Sequence, residues 1–335
     1  MPPEAAAIAD SSSASGALPT AWRAPLVALG LATLALIAVT AQSWSEMAHQ
    51  WWNIDTYNHL LLMPFIIAWL VALKEDALAA LTPRPFAPGL FAVAAALGLW
   101  WAGEAAGINL VAQAGAVGAV QAAVVTILGL RVAAVLALPL ALACFLVPFG
   151  DEIIPPLQAI TAEIAITLTH ASGVAAEVEG IYIDTPAGLF VVAEACSGVK
   201  FLIAMVQLGV LVAFTRFARW RDRALFLAAC VIVPILANGV RAWATIYVAQ
   251  FVGAEKASGF DHIVYGWIFF AIVVAALLGG AWRFFDREAE DYGWPIETIA
   301  RWHWLARAEA LTLVPARVGL AIIALAAIAA LAALF

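Results

Sequence analysis

Nine runs of apolar residues, roughly 24–42, 58–73, 88–104, 110–130, 132–149, 197–215, 224–250, 262–284 and 316–335, divide this chain, with polar connections between them. A bilayer's hydrocarbon core takes about 20 residues of helix. Each run therefore reads as a membrane span, and the fold as an all-α polytopic membrane protein with an eight-helix transmembrane core plus an extra C-terminal span. The second and third runs are short. The fourth, rich in Ala and Gly and carrying Gln113 and Gln121, fits a tilted, a bundle-buried or an interfacial segment alike. The composition, 65% hydrophobic and 12% charged, lies far from that of soluble domains. Residues 1–20 are Ala, Ser and Pro rich and have no basic residue ahead of the first run, which predicts a disordered tail up to about residue 22 and not a cleaved signal peptide.

The net charge of −7 does not set orientation, because membrane topology follows Lys and Arg placement. With the N-terminus on the cytoplasmic side, Arg23, Lys74, Arg84, Arg131, the cluster Arg216 to Arg223, and Arg283, Arg287, Arg301, Arg307 and Arg317 all fall inside. These are 13 of the 16 basic residues, and only Lys256 falls in an outer loop. The longest outer segment, 150–196, first gives LQAITAEIAITLTHAS, with Leu157, Ile160, Ile164 and Leu168 at helical spacing, which predicts an interfacial helix. EVEGIYID and GLFVVAE then flank the turn signal DTPAG, which predicts a β-hairpin delivering the chain into Cys196. Nothing in the charge pattern points to nucleic acid.

Ionisable residues inside or at the rim of a span are costly and carry functional hypotheses by default. Cys196, with Glu194 and Lys200 beside it, opens the sixth span, where the unpaired amides of a helix's first turn favour an anionic sulfur. Cys144 and Cys230 lie in apolar helical surroundings and read as small core residues; a Cys196–Cys144 disulfide would leave one thiol over. Arg241 sits in the outer half of the seventh span. It fits a snorkelling cation, a structural partner of Glu194 or Asp261, or a donor aimed at developing negative charge, with Asn238 one turn earlier placed to orient it. Of the five histidines, His303 is on the inner side; His49, His59, His170 and His262 are outer. His262 opens the eighth span after Asp261 and has the best placement for proton transfer. No two histidines show the spacing of a helical metal-ligand pair, so neither a metal nor a cofactor is expected.

EACSGVKF, ANGVRAW and DHIVYGWIFF, taken in that order at three consecutive outward-facing helix ends, resemble the exosortase and archaeosortase family. The earlier stretch WWNIDTYNHLLLMPFIIAWL, with Asp55 and His59, is similar to that family's N-terminal signature, although Leu60 stands where a Gly is common. The likeness covers about residues 44–284. It implies a membrane cysteine transpeptidase or protease with Cys196 as nucleophile, Arg241 as oxyanion stabiliser and His262 as acid and base, supported by Glu194, Ser197, Asn238 and Asp261. The chain then divides into a cytoplasmic tail (1–22), a transmembrane catalytic core (23–284) with its outer loop, and a cytoplasmic linker with a last span (285–335). The implied partners are membrane-anchored proteins bearing a C-terminal motif, often Pro-Glu-Pro, then a span and a basic tail. The implied location is a bacterial inner membrane, with the site on the periplasmic side. Two other classes fit the residues alone: a transporter or channel whose Arg241 and His262 line a path, and a membrane acyltransferase using Cys196.

Overall fold

The computed structural model describes residues 19–257, 261–309 and 313–333. The first run forms α1 (Thr20–Val39), which begins two residues before the expected end of the tail; residues 1–18 lie outside the described residues. α2 (Ala41–Asn53) and α3 (Met63–Ala72) are joined through a 3-10 turn at Asn58–Leu62, with a 111° bend between the arms. Pro64 in the first turn of α3 has no amide hydrogen to continue a ladder from upstream, which places the start of the regular helix there. The phenol of Tyr57 donates to Asp151 at 2.8 Å and pins this elbow to the base of the outer loop. Burial and that bond hold Tyr57 above the usual phenol range.

After the short α4 (Glu75–Ala79), α5 (Gly89–Ala106) and α6 (Asn109–Leu128) form a tightly packed pair. Gly103 meets the backbone of Ala112, and Gly115 meets the backbone of Trp100, so a methyl group at either glycine would collide. Small residues of this kind are how membrane helices gain close packing. Half of α6 is buried inside the bundle, which fits the bundle-packed reading of the fourth run. The fifth run breaks into α7 (Leu130–Val135), α8 (Ala137–Ala143) and a 3-10 turn. Pro139 supplies the reason, because it cannot donate the hydrogen bond that would tie it to Val135.

Between α8 and α10 come α9 (Ile154–Ala171), which forms the second bent pair with α8 at 72°, and an antiparallel three-stranded meander, β1 (Glu177–Glu179), β2 (Tyr182–Thr185) and β3 (Gly188–Val191). The expected hairpin is β2–β3, in register Thr185 to Gly188; EVEGIYID folds back at Gly180 to add β1. Of the four residues at apolar spacing in α9, Leu157 is buried and Ile164 and Leu168 are half-buried, and small residues widen that face. Leu157, Thr161, Ala165 and Thr169 face the protein, while Ile160 is exposed. The small side chains bring α9 close to α11, where Ile164 abuts Gly239.

α10 (Val199–Arg216), α11 (Trp220–Val252), the short α12 (Ala254–Ala257) and α13 (Asp261–Trp282) complete the half of the protein that carries the site. α14 (Ile296–Ala300), α15 (His303–Ala308) and α16 (Pro315–Ala332) close the chain. Among the described residues, six helices are long and apolar enough to cross a bilayer. The two bent pairs raise that to eight, and Gly266–Trp282 is a shorter apolar helix. α16 is no appendage: it packs along α1 and α5, with Gly319 against Ala28 towards its start, and Val39 and Ala329 both against the cluster of Trp100, Ala112 and Ala116 further along. α1 and α16 therefore run parallel.

Basic connections converge at one end of this bundle. Glu309, with its side chain 7% exposed, takes Arg131 at 2.6 Å and Arg84 at 3.5 Å, while Arg216 and Arg219 pair with Glu288 and Asp286. Glu309→Gln leaves two guanidinium groups facing each other across a largely buried amide. It is expected to lower stability by about 1–2 kcal/mol in a denaturant or thermal unfolding series in detergent. An unchanged midpoint would show that this clasp is only a surface contact.

Candidate active site

The segment entering α10 is built for a fixed backbone. Val192 is buried against the sheet and its amide bonds Ile181 O; the chain then makes a 3-10 turn at Glu194–Cys196, with Cys196 N bonded to Ala193 O at 2.8 Å. Cys196 lies on that turn and not in the first turn of the helix, because Gly198 interrupts with φ 82° before α10 starts at Val199. Ser197 is buried; its hydroxyl accepts from Val199 N and its carbonyl accepts from Thr161 at 3.4 Å.

Asn238 holds this turn from the side. Its amide nitrogen donates to Cys196 O at 2.8 Å and to the Thr161 hydroxyl at 3.1 Å, so α9, α10 and α11 meet at the nucleophile candidate's own carbonyl. This differs from the expected partnership of Asn238 with Arg241. A Cβ at position 198 would lie 2.7 Å from Asn238 Cγ, on a backbone conformation that suits only glycine. Gly198→Ala is therefore expected to push Asn238 off Cys196, destabilising the protein by about 2 kcal/mol or more. Paired melting and processing assays check it, and a variant with normal melting and normal turnover would remove the clamp from the account.

Arg241 follows Asn238 by three residues, on the same side of α11. Its guanidinium interacts with the Cys196 side chain and lies 5.5 Å from the Phe201 ring centroid. Its Nε is buried and has no hydrogen-bond partner among the described residues. α13 comes close here: a Cβ on Gly266 would be 2.9 Å from Arg241 Nη1, and Phe270 stacks on Phe201 at 4.6 Å. Position 262 is one turn before Gly266 on this helix. The side chains of Asp261 and His262 lie outside the described residues. α11 has 33 residues, about 50 Å at 1.5 Å per residue, against a core of about 30 Å. Its last turns therefore extend beyond a single crossing, where α9 and the sheet cover them through Trp243–Ser172 and Gln250–Thr185 bonds.

The chain matches the family model for transmembrane exosortases over residues 51–279, more than half its length. The chain belongs to the transmembrane exosortase family. No curated protein and no solved structure gave a match. The family match of this exosortase stops short of α1 and α16, the two parallel helices packed on each other.

Other expected residues take no part in the contact between Cys196 and Arg241, although Glu194 shares the 3-10 turn of Cys196. Glu194 and Asp55 are exposed. His59 is bonded to the Thr56 backbone, and its buried Nε2 is unpartnered among the described residues. It lines a cavity of about 130 Å³ with Gln207 and Leu211 of α10. All three cysteines are free thiols, and Cys144 contacts Gln121. Thr161, Gly239 and Gly266 were not among the expected site residues. The signal for them was present as a threonine midway along an amphipathic helix and as glycines inside ANGVRAW and VYGW.

Proposed function

We propose that this exosortase-family protein is a cysteine transpeptidase or protease that cleaves C-terminal sorting signals of membrane-anchored proteins at the outer membrane surface. The observation that carries the reading is the Arg241 guanidinium set against the Cys196 side chain, with a buried N–H that has no partner among the described residues, on a backbone clamped by Asn238. An anionic sulfur and a fixed cation beside it are what acyl transfer needs: a nucleophile and a donor aimed where charge develops.

In this reading the Cys196 sulfur adds to the scissile carbonyl, and the electron pair of the C=O moves onto oxygen, facing Arg241. Collapse of that intermediate expels the amine, which takes a proton from His262, and leaves an acyl thioester on Cys196. Water or an amine acceptor then adds to the thioester and gives its proton to His262. The thiolate leaves, and the enzyme is restored. The role of His262 rests on the family resemblance and on its position one turn from Gly266, which abuts Arg241. The gathering of basic connections at the end of the bundle away from Cys196 supports a cytoplasmic side there and an outer, periplasmic site. The substrate, a motif followed by a span and a basic tail, would lie alongside in the same sense.

The test is coexpression with a candidate protein bearing such a C-terminal signal, followed by intact-mass measurement. Loss of the signal, with a mass that identifies a free carboxylate or an attached acceptor, is the expected result. Substrate left at full mass by the wild type across motif variants sinks the proposal.

A further inference from the structure

At the basic end of the bundle, opposite the Cys196 end of α10, a cavity of about 490 Å³ opens between α8, the end of α10, the start of α11 and the segment before α14. That volume is within the range of small-molecule sites, roughly 300–1,000 Å³. Its body is hydrocarbon, from Leu138, Val210, Phe214 and the half-exposed Trp294. Its charged lining consists of two guanidinium groups, Arg223 and Arg287.

Arg223 is already oriented. Its Nε donates to Phe217 O at 2.8 Å and its plane lies over the Phe214 ring at 5.0 Å. Arg287 has neither a hydrogen bond nor an ion pair to any described residue, and its charge acts on two other cations, Arg223 and Lys74. Of the neighbouring acids, none of which lines the cavity, Asp286 accepts from Ala218 N, pairs with Arg219 and also acts on Arg223, and Glu290 and Asp291 act on Lys74. Like charges at the mouth of an apolar slot with no carboxylate in its wall suit an anion that carries a hydrocarbon tail.

We propose that this cavity binds an anionic phospholipid, its phosphate on Arg223 and Arg287 and an acyl chain along α8 and α10. Basic pockets between spans on the cytoplasmic side are sites for such headgroups, and Trp294 has the amphipathic ring suited to that depth. The site gives the segment after α13 a task that proteolysis of a sorting signal does not require, and it stands apart from the catalytic reading.

The experiment uses the full chain purified in detergent. Native mass spectrometry and thermal unfolding are followed while titrating phosphatidylglycerol, phosphatidylcholine or inorganic phosphate. Wild type is expected to retain and be stabilised by phosphatidylglycerol in preference to phosphatidylcholine. Arg287→Gln, which removes no contact within the described protein, is expected to weaken that preference about fivefold. Ala141→Phe, which fills the apolar body and leaves both cations, is expected to lose the lipid as well. Equal retention of the two lipids, an unchanged preference in Arg287→Gln, or the whole effect reproduced by inorganic phosphate overturns the proposal.

Discussion

Cys196→Ser is expected to stop processing of a sorting-signal substrate, with at least a ~10³-fold loss of rate, while the protein remains inserted and folded. Oxygen replaces sulfur with almost no change in shape, and the clamp on the backbone does not involve the side chain: Asn238 bonds the carbonyl of residue 196 and Thr161 that of residue 197. The melting midpoint should therefore stay within about 0.5 kcal/mol of wild type. A hydroxyl is a far weaker nucleophile than a thiol. Intact-mass measurement of the coexpressed substrate reads the outcome. Wild-type processing by the serine variant would mean that Cys196 is packing and that the transporter or another enzyme class must be reconsidered.

Arg241→Lys comes next in size, with an expected loss of about 10²–10³-fold. It keeps the charge, so it separates geometry from electrostatics. The planar guanidinium reaches Cys196, lies near the Phe201 ring and still holds a buried N–H without a partner among the described residues. A single ammonium on a flexible stem cannot present donors in both directions. The loss should fall on the chemical step, seen in single-turnover acylation with saturating substrate, with binding little changed. A lysine variant that acylates at the wild-type rate would reduce Arg241 to a structural cation.

Much of this arrangement could be read from the chain because a membrane simplifies the problem. Apolar runs name the spans, and a cysteine, an arginine and a histidine at three consecutive outer ends are conspicuous against hydrocarbon. Arg241 and Cys196 do come together. What escaped the pattern depends on contact between distant segments. Asn238 reads as Arg241's helper at one-turn spacing, yet in three dimensions its amide meets the loop before α10 and a threonine 77 residues away. Apolar spacing in α9 picks out Leu157 and Ile164, which do pack inward, but it passes over Thr161 and Ala165, the small buried residues beside them. The breaks in the second and fifth runs are local, and Pro64 and Pro139 mark them, but hydropathy averages over single prolines.

The parallel packing of α1 and α16 carries a parity rule. Two neighbouring helices that traverse a bilayer in the same sense must be separated by an odd number of crossings, so the total including both is odd. Six long helices, two bent pairs and the Gly266–Trp282 helix sum to an odd number when each is one crossing. An assignment in which one bent pair dips in and returns would force the first and last helices to run antiparallel, against the contact of Ala28 with Gly319 and the packing of both Val39 and Ala329 on the Trp100 cluster. The Thr20 end of α1 and the Ala332 end of α16 accordingly emerge on opposite faces, and the last turn of α16 shares the face that bears Cys196.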